Sequence, residues 1–328
     1  MIVRPVDLPA LRAEMVEDVG RFGAATYEQA IVEYRQGFRA AGPPAKAATV
    51  MAHAEVDRLR RAELYYVSAA MTDLALAASA TMPPFSLMPE DMPGPFGFMV
   101  YEKPIFIIDY NRYAPGRGGL SPIVACSWGP LKGHSSWPEG GIWITWYADL
   151  DTVFDSSVER GIVPRAVALR ARLNRGRLAI DNETQIPFSR IPPGIWVGKD
   201  FKEQDEVASQ DDTHLHWMRV LITTWILMSQ PVAAVDDAVF DRTARRQARR
   251  AGITDPRVRV IALRRVNHAG VTSGEQDRFH HQWVVRGHWR QQWYPGRQVH
   301  RPVWINPHVK GPDGAPMLGG ERVYTWKR

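Results

Sequence analysis

The chain has 328 residues, 45% hydrophobic and 23% charged, which suits a folded core and excludes a disordered chain. Its one cysteine, Cys126, excludes a disulfide framework, and "MIVRPVDLPALRAEM" lacks the apolar run and cleavage site of a signal peptide, so a reducing cytoplasm is the expected compartment. The net charge of +6 is unevenly spread: from Asp241 onward 18 Lys/Arg face 6 Asp/Glu, and before it 23 face 29. Such asymmetry points to an anionic partner for the C-terminal region, usually nucleic acid. The alternative is a basic tail that offsets the chain's own acidic front.

In chain order, residues 1–81 predict helices. "TYEQAIVEYRQGFRAAG" carries Ile31, Tyr34 and Phe38 at helical spacing. The Ala-rich segment 45–82 predicts one long helix with Val56, Leu59, Leu64 and Val67 as its core stripe. His53, alone on that helix, reads as a surface or packing histidine. "MPPFSLMPEDMPGPFG", residues 82–97, holds too many prolines to continue a helix and reads as a loop. Next, "GFMVYEKPIFIIDY" predicts two short strands around Lys103-Pro104. "SPIVACSWG", "GGIWITWYADL" and "RGRLAIDNETQIPF" predict three more, and "IWITWY" has the continuous apolar character of a strand buried on both faces. Cys126 reads as a small buried hydrophobe. "VLITTWILM" is about half the ~20 residues of a membrane span and predicts a buried helix. "DDAVFDRTARRQARRAGI" predicts a basic helix. Asp236 and Asp237 are expected at its start, Arg245, Arg246, Arg249 and Arg250 near its end, and Gly252 as its cap.

The expected class is therefore α+β: a helical N-terminal part, a central mainly antiparallel sheet and a C-terminal basic-aromatic β-hairpin. The expected organisation is a helical region 1–81, a mixed β/α core region 97–235 and a basic module 236–328 packed on the core.

Familiar chemical motifs are absent from the sequence. It has no GxxxxGK[ST], GxSxG, CxxC or HExxH, so neither a cofactor nor a metal is expected. His214-Leu215-His216 is the one HxH, and on a helix those two side chains diverge. Glu203, Asp205, Glu206, Asp211 and Asp212 read as a solvated helix start.

The segment that carries chemistry is "HQWVVRGHWRQQWY", residues 281–294. As a strand it splits by parity. His281, Trp283, Val285, Gly287, Trp289, Gln291 and Trp293 form a tryptophan face that calls for burial. Gln282, Val284, Arg286, His288, Arg290, Gln292 and Tyr294 form a basic row. Pro295 to Arg297 supply turn chemistry, and "QVHRPVWINP" returns, interrupted at Pro302. The basic row permits two functions. It can grip phosphates with Arg forks and stack unpaired bases on Tyr or Trp. It can also cleave RNA without metal, with His288 as general acid or base. An amphipathic hairpin that merely faces solvent is the third possibility.

At "RGHWRQQWY…VWINPHV" the chain resembles the C-terminal signature of the second family of type V-A anti-CRISPR proteins. The matching positions are Arg286, Gly287, His288, Trp289, Tyr294, Trp304 and Pro307, and the likeness covers residues 280–309. Just before it the chain departs: the family often has Arg-Pro-His and paired arginines where "DRFHHQWVVRG" stands here. The front half, with "MPPFSLMPEDMPGPFGF", also resembles uncharacterised proteins of actinobacterial phages and mobile elements. The resemblance implies a counter-defence regulator that acts during translation, recognising the emerging N-terminal segment of a CRISPR nuclease and lowering its message. The peptide-recognising surface would lie outside the hairpin, on the less basic first 240 residues.

Together these readings predict a phage- or mobile-element-encoded regulator in the cytoplasm of the bacterial host, with no membrane association. Its expected partners are RNA or a ribosome-associated nascent chain, and with it a host defence protein. Arg286, His288, Arg290 and Tyr294 are the expected contacts, with Arg301 beside them and Arg245 and Arg249 on the basic helix. Trp283, Trp289 and Trp293 are expected to hold the hairpin to the core. The alternatives are a metal-independent ribonuclease using His288 with His300 or Tyr294, and a structural or protein-interaction protein.

Overall fold

The computed structural model describes residues 3–33, 43–83, 87–110, 118–133, 138–188, 211–250, 252–264, 283–296 and 298–310. Among them the helices are α1 (Leu8–Glu33), α2 (Pro44–Arg61), α3 (Ala69–Ser79), α4 (Leu150–Glu159), α5 (Arg165–Asn174), α6 (Asp211–Met228) and α7 (Arg242–Arg250). The strands are β1 (Glu63–Val67), β2 (Gly97–Tyr101), β3 (Phe106–Asp109), β4 (Leu120–Leu131), β5 (Gly141–Asp149), β6 (Leu178–Pro187), β7 (Ala233–Asp237) and β8 (Arg259–Leu263). Four more follow: β9 (Trp283–Val285), β10 (His288–Tyr294), β11 (Val299–Ile305) and β12 (His308–Lys310).

The class is α+β. An eight-stranded sheet runs β6-β5-β4-β2-β1-β8-β7, with β3 on the N-terminal half of β4. β1 pairs in parallel with β2 and β8, and every other pairing in this sheet is antiparallel. Both faces are buried, and the side chains divide by the two-residue period of a strand. On β1 and β2, Leu64, Tyr66, Phe98 and Val100 join a core with Leu8, Leu11 and Met15 of α1, Leu59 of α2 and Ala244 of α7. Tyr65, Val67, Met99 and Tyr101 join the opposite core, with Met71 and Ala75 of α3 and Trp217, Leu221 and Trp225 of α6. The sheet therefore lies between two helical layers. Tryptophans knit the second core: Trp128 packs edge-on against Trp225 at 5.0 Å, and Trp146 against Trp217 at 5.6 Å.

Several expectations hold. Val56 and Leu59 are buried on α2, as are Ile31 and Cys126, and His53 is exposed, whereas Leu64 and Val67 of the expected stripe are buried on opposite faces of β1. Tyr34 and Phe38 lie outside the described residues, as do Glu203, Asp205 and Glu206. "VLITTWILM" lies in α6, and among the described residues no helix is long and apolar enough to cross a membrane.

Other expectations are corrected. The single helix over 45–82 is instead α2, β1 and α3. Ala62 turns to extended geometry (φ −64°, ψ 130°), and the Ser68 hydroxyl accepts from Met71 N to start α3. "LYYV" has the spacing of a helix stripe, but parallel pairing with β2 and β8 on both edges makes it a strand. Tertiary pairing overrides the Ala-rich flanks. Asp236 and Asp237 end β7 and do not start the basic helix. Asp241 caps α7, its Oδ1 accepting from Ala244 N at 2.7 Å. Gly252 does follow that helix with φ +78°. The expected boundary at 235/236 falls inside β7, and the 1–81 region contributes β1 to the middle of the sheet. Neither boundary separates folded units, because one sheet runs through all three regions.

Candidate nucleic-acid interface

The C-terminal hairpin is one long ribbon built from two ladders. β9 pairs β12 from Trp283↔Lys310 to Val285↔His308, and β10 pairs β11 from His288↔Ile305 to Tyr294↔Val299. The register is common to both ladders. The gap between them sets Arg286-Gly287 opposite Asn306-Pro307. Pro307 has no N–H to give a ladder, so pairing breaks there. Beyond the gap each strand restarts with a histidine. The Nδ1 of His288 lies 3.0 Å from the Arg286 carbonyl, and that of His308 lies 2.9 Å from the Asn306 carbonyl. A carbonyl only accepts, so Nδ1 is the donor in each case and Nε2 is left for other partners.

One side of the ribbon docks on the core. Trp289 and Trp304, cross-strand partners, meet edge-on at 5.2 Å and pack against the α3/α6 core. The Trp289 indole N–H donates to the Ala78 carbonyl at 2.8 Å, near the end of α3. Gln230, just past α6, clamps β11: its Oε1 accepts from Trp304 N at 2.9 Å, and its Nε2 donates to the Pro302 carbonyl at 3.4 Å. Gly287 is required at its position. A Cβ there would sit 2.4 Å from the Trp304 ring and 3.2 Å from Pro307. Gly287, Trp289, Trp304 and Pro307 are thus the parts that shape and dock the ribbon.

The other side carries the cations. His288, Arg290 and Tyr294 are exposed on it, and Arg286 is exposed at the gap. Among the described residues no carboxylate pairs with Arg286 or Arg290. Arg301 differs: it is ion-paired with Asp91, whose side chain is 3% exposed and also accepts from Met88 N. Its charge serves the fold, which corrects its place among the expected contacts. Trp293 is corrected too. It lies at the ribbon's tip, 43% exposed, against the His300 ring at 4.8 Å, with Tyr294 40% exposed beside it. A strand near a turn has no core to reach on either face. The side chain of Trp283 lies outside the described residues.

The groups named for RNA cleavage do not converge. His300 faces Trp293, five residues along β10 from His288 and on the opposite side of the ribbon. At ~3.3 Å per residue that is about 16 Å. Tyr294 shares the side of His288 but stands about 20 Å along it. Proton transfer to one phosphate needs both groups within hydrogen-bond reach.

Arg245 and Arg249 are exposed on α7, whose buried Ala244 belongs to the α1/α2 core. The hairpin belongs to the other core, so the sheet lies between these two sets of expected contacts. His216 packs against the Phe106 ring at 5.6 Å, and burial lowers its pKa, with Arg219 adding to the effect. Among the described residues no group of His, Cys, Asp and Glu is arranged to hold a metal ion.

Sequence reasoning missed one polar site. Between α1, α2 and the sheet, the Oε1 of Glu55 accepts from the Ser127 hydroxyl at 2.6 Å and from the Tyr147 hydroxyl. Its Oε2 accepts from Arg58 Nε at 2.7 Å. Glu183 accepts from the Tyr27 hydroxyl and, at 2.9 Å, from Thr145. Arg58 lies over the Trp143 ring at 4.8 Å. Burial pushes the Glu183 carboxyl up to about 8, against the pull of Arg58 and with a further push from Glu55. On β6 two residues earlier, burial lifts Asp181 to about 6 despite hydrogen bonds from Ser121 and Tyr110. A threonine inside "IWITWY" was the available signal. Glu55, Arg58, Ser127, Tyr147 and Glu183 are buried together, so they pin the helical layer to the sheet.

The chain matches no protein-family model, no curated protein and no solved structure.

Proposed function

We propose that the protein binds RNA through the outward side of its C-terminal hairpin. We further propose that it serves a phage or mobile element as an anti-CRISPR-like regulator. It works in the cytoplasm of the bacterial host, beside the ribosome and nascent chain, and lowers expression of a host defence protein. The observation that carries the RNA reading is how the hairpin divides its cations. Arg301 is used up by Asp91, while Arg286 and Arg290 stand exposed without a carboxylate among the described residues. On the same side Tyr294, 40% exposed near the ribbon's tip, offers an aromatic ring. Guanidinium forks grip phosphate, and exposed rings stack on unpaired bases, the combination single-stranded RNA requires. The counter-defence role rests on the resemblance at Arg286-Gly287-His288-Trp289.

The test is RNA affinity as a function of salt, for wild type and for Arg286→Ala/Arg290→Ala, with the RNA inspected on a gel afterwards. Single-strand binding loses about 0.7 in log–log salt slope per phosphate contact removed, so the double variant should lose about 1.4. Wild type that fails to bind at ~50 mM salt, where counterion release favours binding most, overturns the RNA reading. Shortened RNA would replace it with a nuclease.

A further inference from the structure

The sequence of α7, Arg-Thr-Ala-Arg-Arg-Gln-Ala-Arg-Arg, buries two alanines and exposes the rest. At 100° per residue, Ala244 and Ala248 fall on one side. Arg242, Arg245, Arg246, Arg249 and Arg250 share an outward arc of about 140°. All five are exposed, and among the described residues no carboxylate pairs with any of them. Four acids stand near α7 in the chain, and none pairs with its arginines. Asp241 caps Ala244 N, Asp255 pairs with Arg257, and Asp236 and Asp237 end β7. Arg242-Arg246-Arg250 and Arg245-Arg249 are like-charge i,i+4 rows, which weaken a helix in isolation. Arg242 also stands at the helix's positive end. An external polyanion relieves both costs.

The position of α7 gives this patch its meaning. Ala244, Phe240 and Val258 hold α7 in the α1/α2 core, whereas Trp289 and Trp304 hold the hairpin against the α3/α6 core. The two basic surfaces thus belong to opposite sides of the sheet, with the sheet and its helices between them. We propose that α7 is a second, independent site for the RNA phosphate backbone, so that one molecule holds two RNA segments at once. For its partner this rests on the RNA reading of the hairpin; its geometry stands alone. The two sites differ in kind. The hairpin has aromatic rings for bases. The outward arc of α7 has only guanidinium groups, which read charge and spacing but not sequence. Over its eight intervals the arginine row spans about 12 Å, the run of several successive phosphates on one strand.

A bridging measurement tests this on the full chain. One RNA is fixed to beads, a second labelled RNA is in solution, and label retained through the protein is counted. Wild type should retain label. Arg245→Gln/Arg246→Gln/Arg249→Gln should lose retention while still binding one RNA, with a salt slope lower by about 2. Arg245→Lys/Arg246→Lys/Arg249→Lys, which keeps the charge, should bridge again. A triple Gln variant that bridges like wild type with an unchanged slope overturns the proposal, including the case where bridging comes from self-association. If Arg286→Ala/Arg290→Ala abolishes all RNA binding, α7 is no site and the proposal falls while the hairpin reading stands. If that variant instead leaves binding whole and the triple Gln variant removes it, α7 is a site and the hairpin reading is the one that fails.

Discussion

Glu183 carries the clearest pH signature in the molecule. Its side chain is 6% exposed, and its folded pKa of about 8 lies above the ordinary 4.5. The folded chain therefore holds a proton there that the unfolded chain releases. The stability this gives is complete below about 4.5 and lost as pH rises through about 8. Asp181 adds a smaller loss of the same sign between 3.8 and about 6. Glu183→Gln mimics the protonated form. Urea midpoints should match wild type near pH 5 and exceed it above pH 8; equal midpoints at both pH values would show that Glu183 is ionised throughout. Arg58→Ala should act oppositely, leaving Glu55 buried and uncompensated at a cost of about 3–5 kcal/mol. None of these roles was legible. Glu55 and Arg58 sit on an Ala-rich helix where charge ordinarily means a solvated face, and only the packing of α2 on β5 turns them inward.

At the scale of the element, the hairpin shows what sequence parity can and cannot give. Alternation placed Trp289 on the docking side and Arg290 and Tyr294 on the open side, as found, but it also placed Trp293 on the docking side, where the tip of the ribbon leaves it exposed. It could not tell that Arg301, on the open side, meets Asp91 from the Pro/Met-rich connector, because that contact joins segments 210 residues apart. The two arginines should therefore behave differently. Arg301→Ala leaves a buried carboxylate short of its partner and should lower stability by about 1–3 kcal/mol with little change in RNA salt slope. Arg290→Ala should leave the urea midpoint in place and lower the slope by about 0.7. An Arg301→Ala chain of full stability and weakened RNA binding would return Arg301 to the contact surface. Gly287→Ala is the sharper probe of docking. The added methyl overlaps the Trp304 ring, and such overpacking costs about 1–3 kcal/mol. Hairpin tryptophan fluorescence should shift toward that of exposed indole.

At the scale of the whole molecule, the order of elements along the chain does not give their order in the sheet. The buried strands β2, β4 and β5 were legible because most of their side chains are apolar on both faces, which needs no partner to be read. Their arrangement was not, because β1 comes from the helical front and β8 from the basic tail, and the two meet only in space. The same fact separates two views of the chain's charge. In sequence the C-terminal surplus looks like one tail; in the fold α7 and the hairpin carry it to different cores. It also sets how the protein unfolds. β1 is the inner strand that joins β2 to β8 and β7, so removing it severs the sheet and strips Tyr65 and Val67 from one core and Leu64 and Tyr66 from the other. A chain starting at residue 97 should therefore show no cooperative transition, whereas the intact protein should unfold in one step, with far-UV circular dichroism and tryptophan fluorescence superimposing. A cooperative transition in the shortened chain would mean that the regions fold as separate units and that β1 is an addition to a sheet already complete.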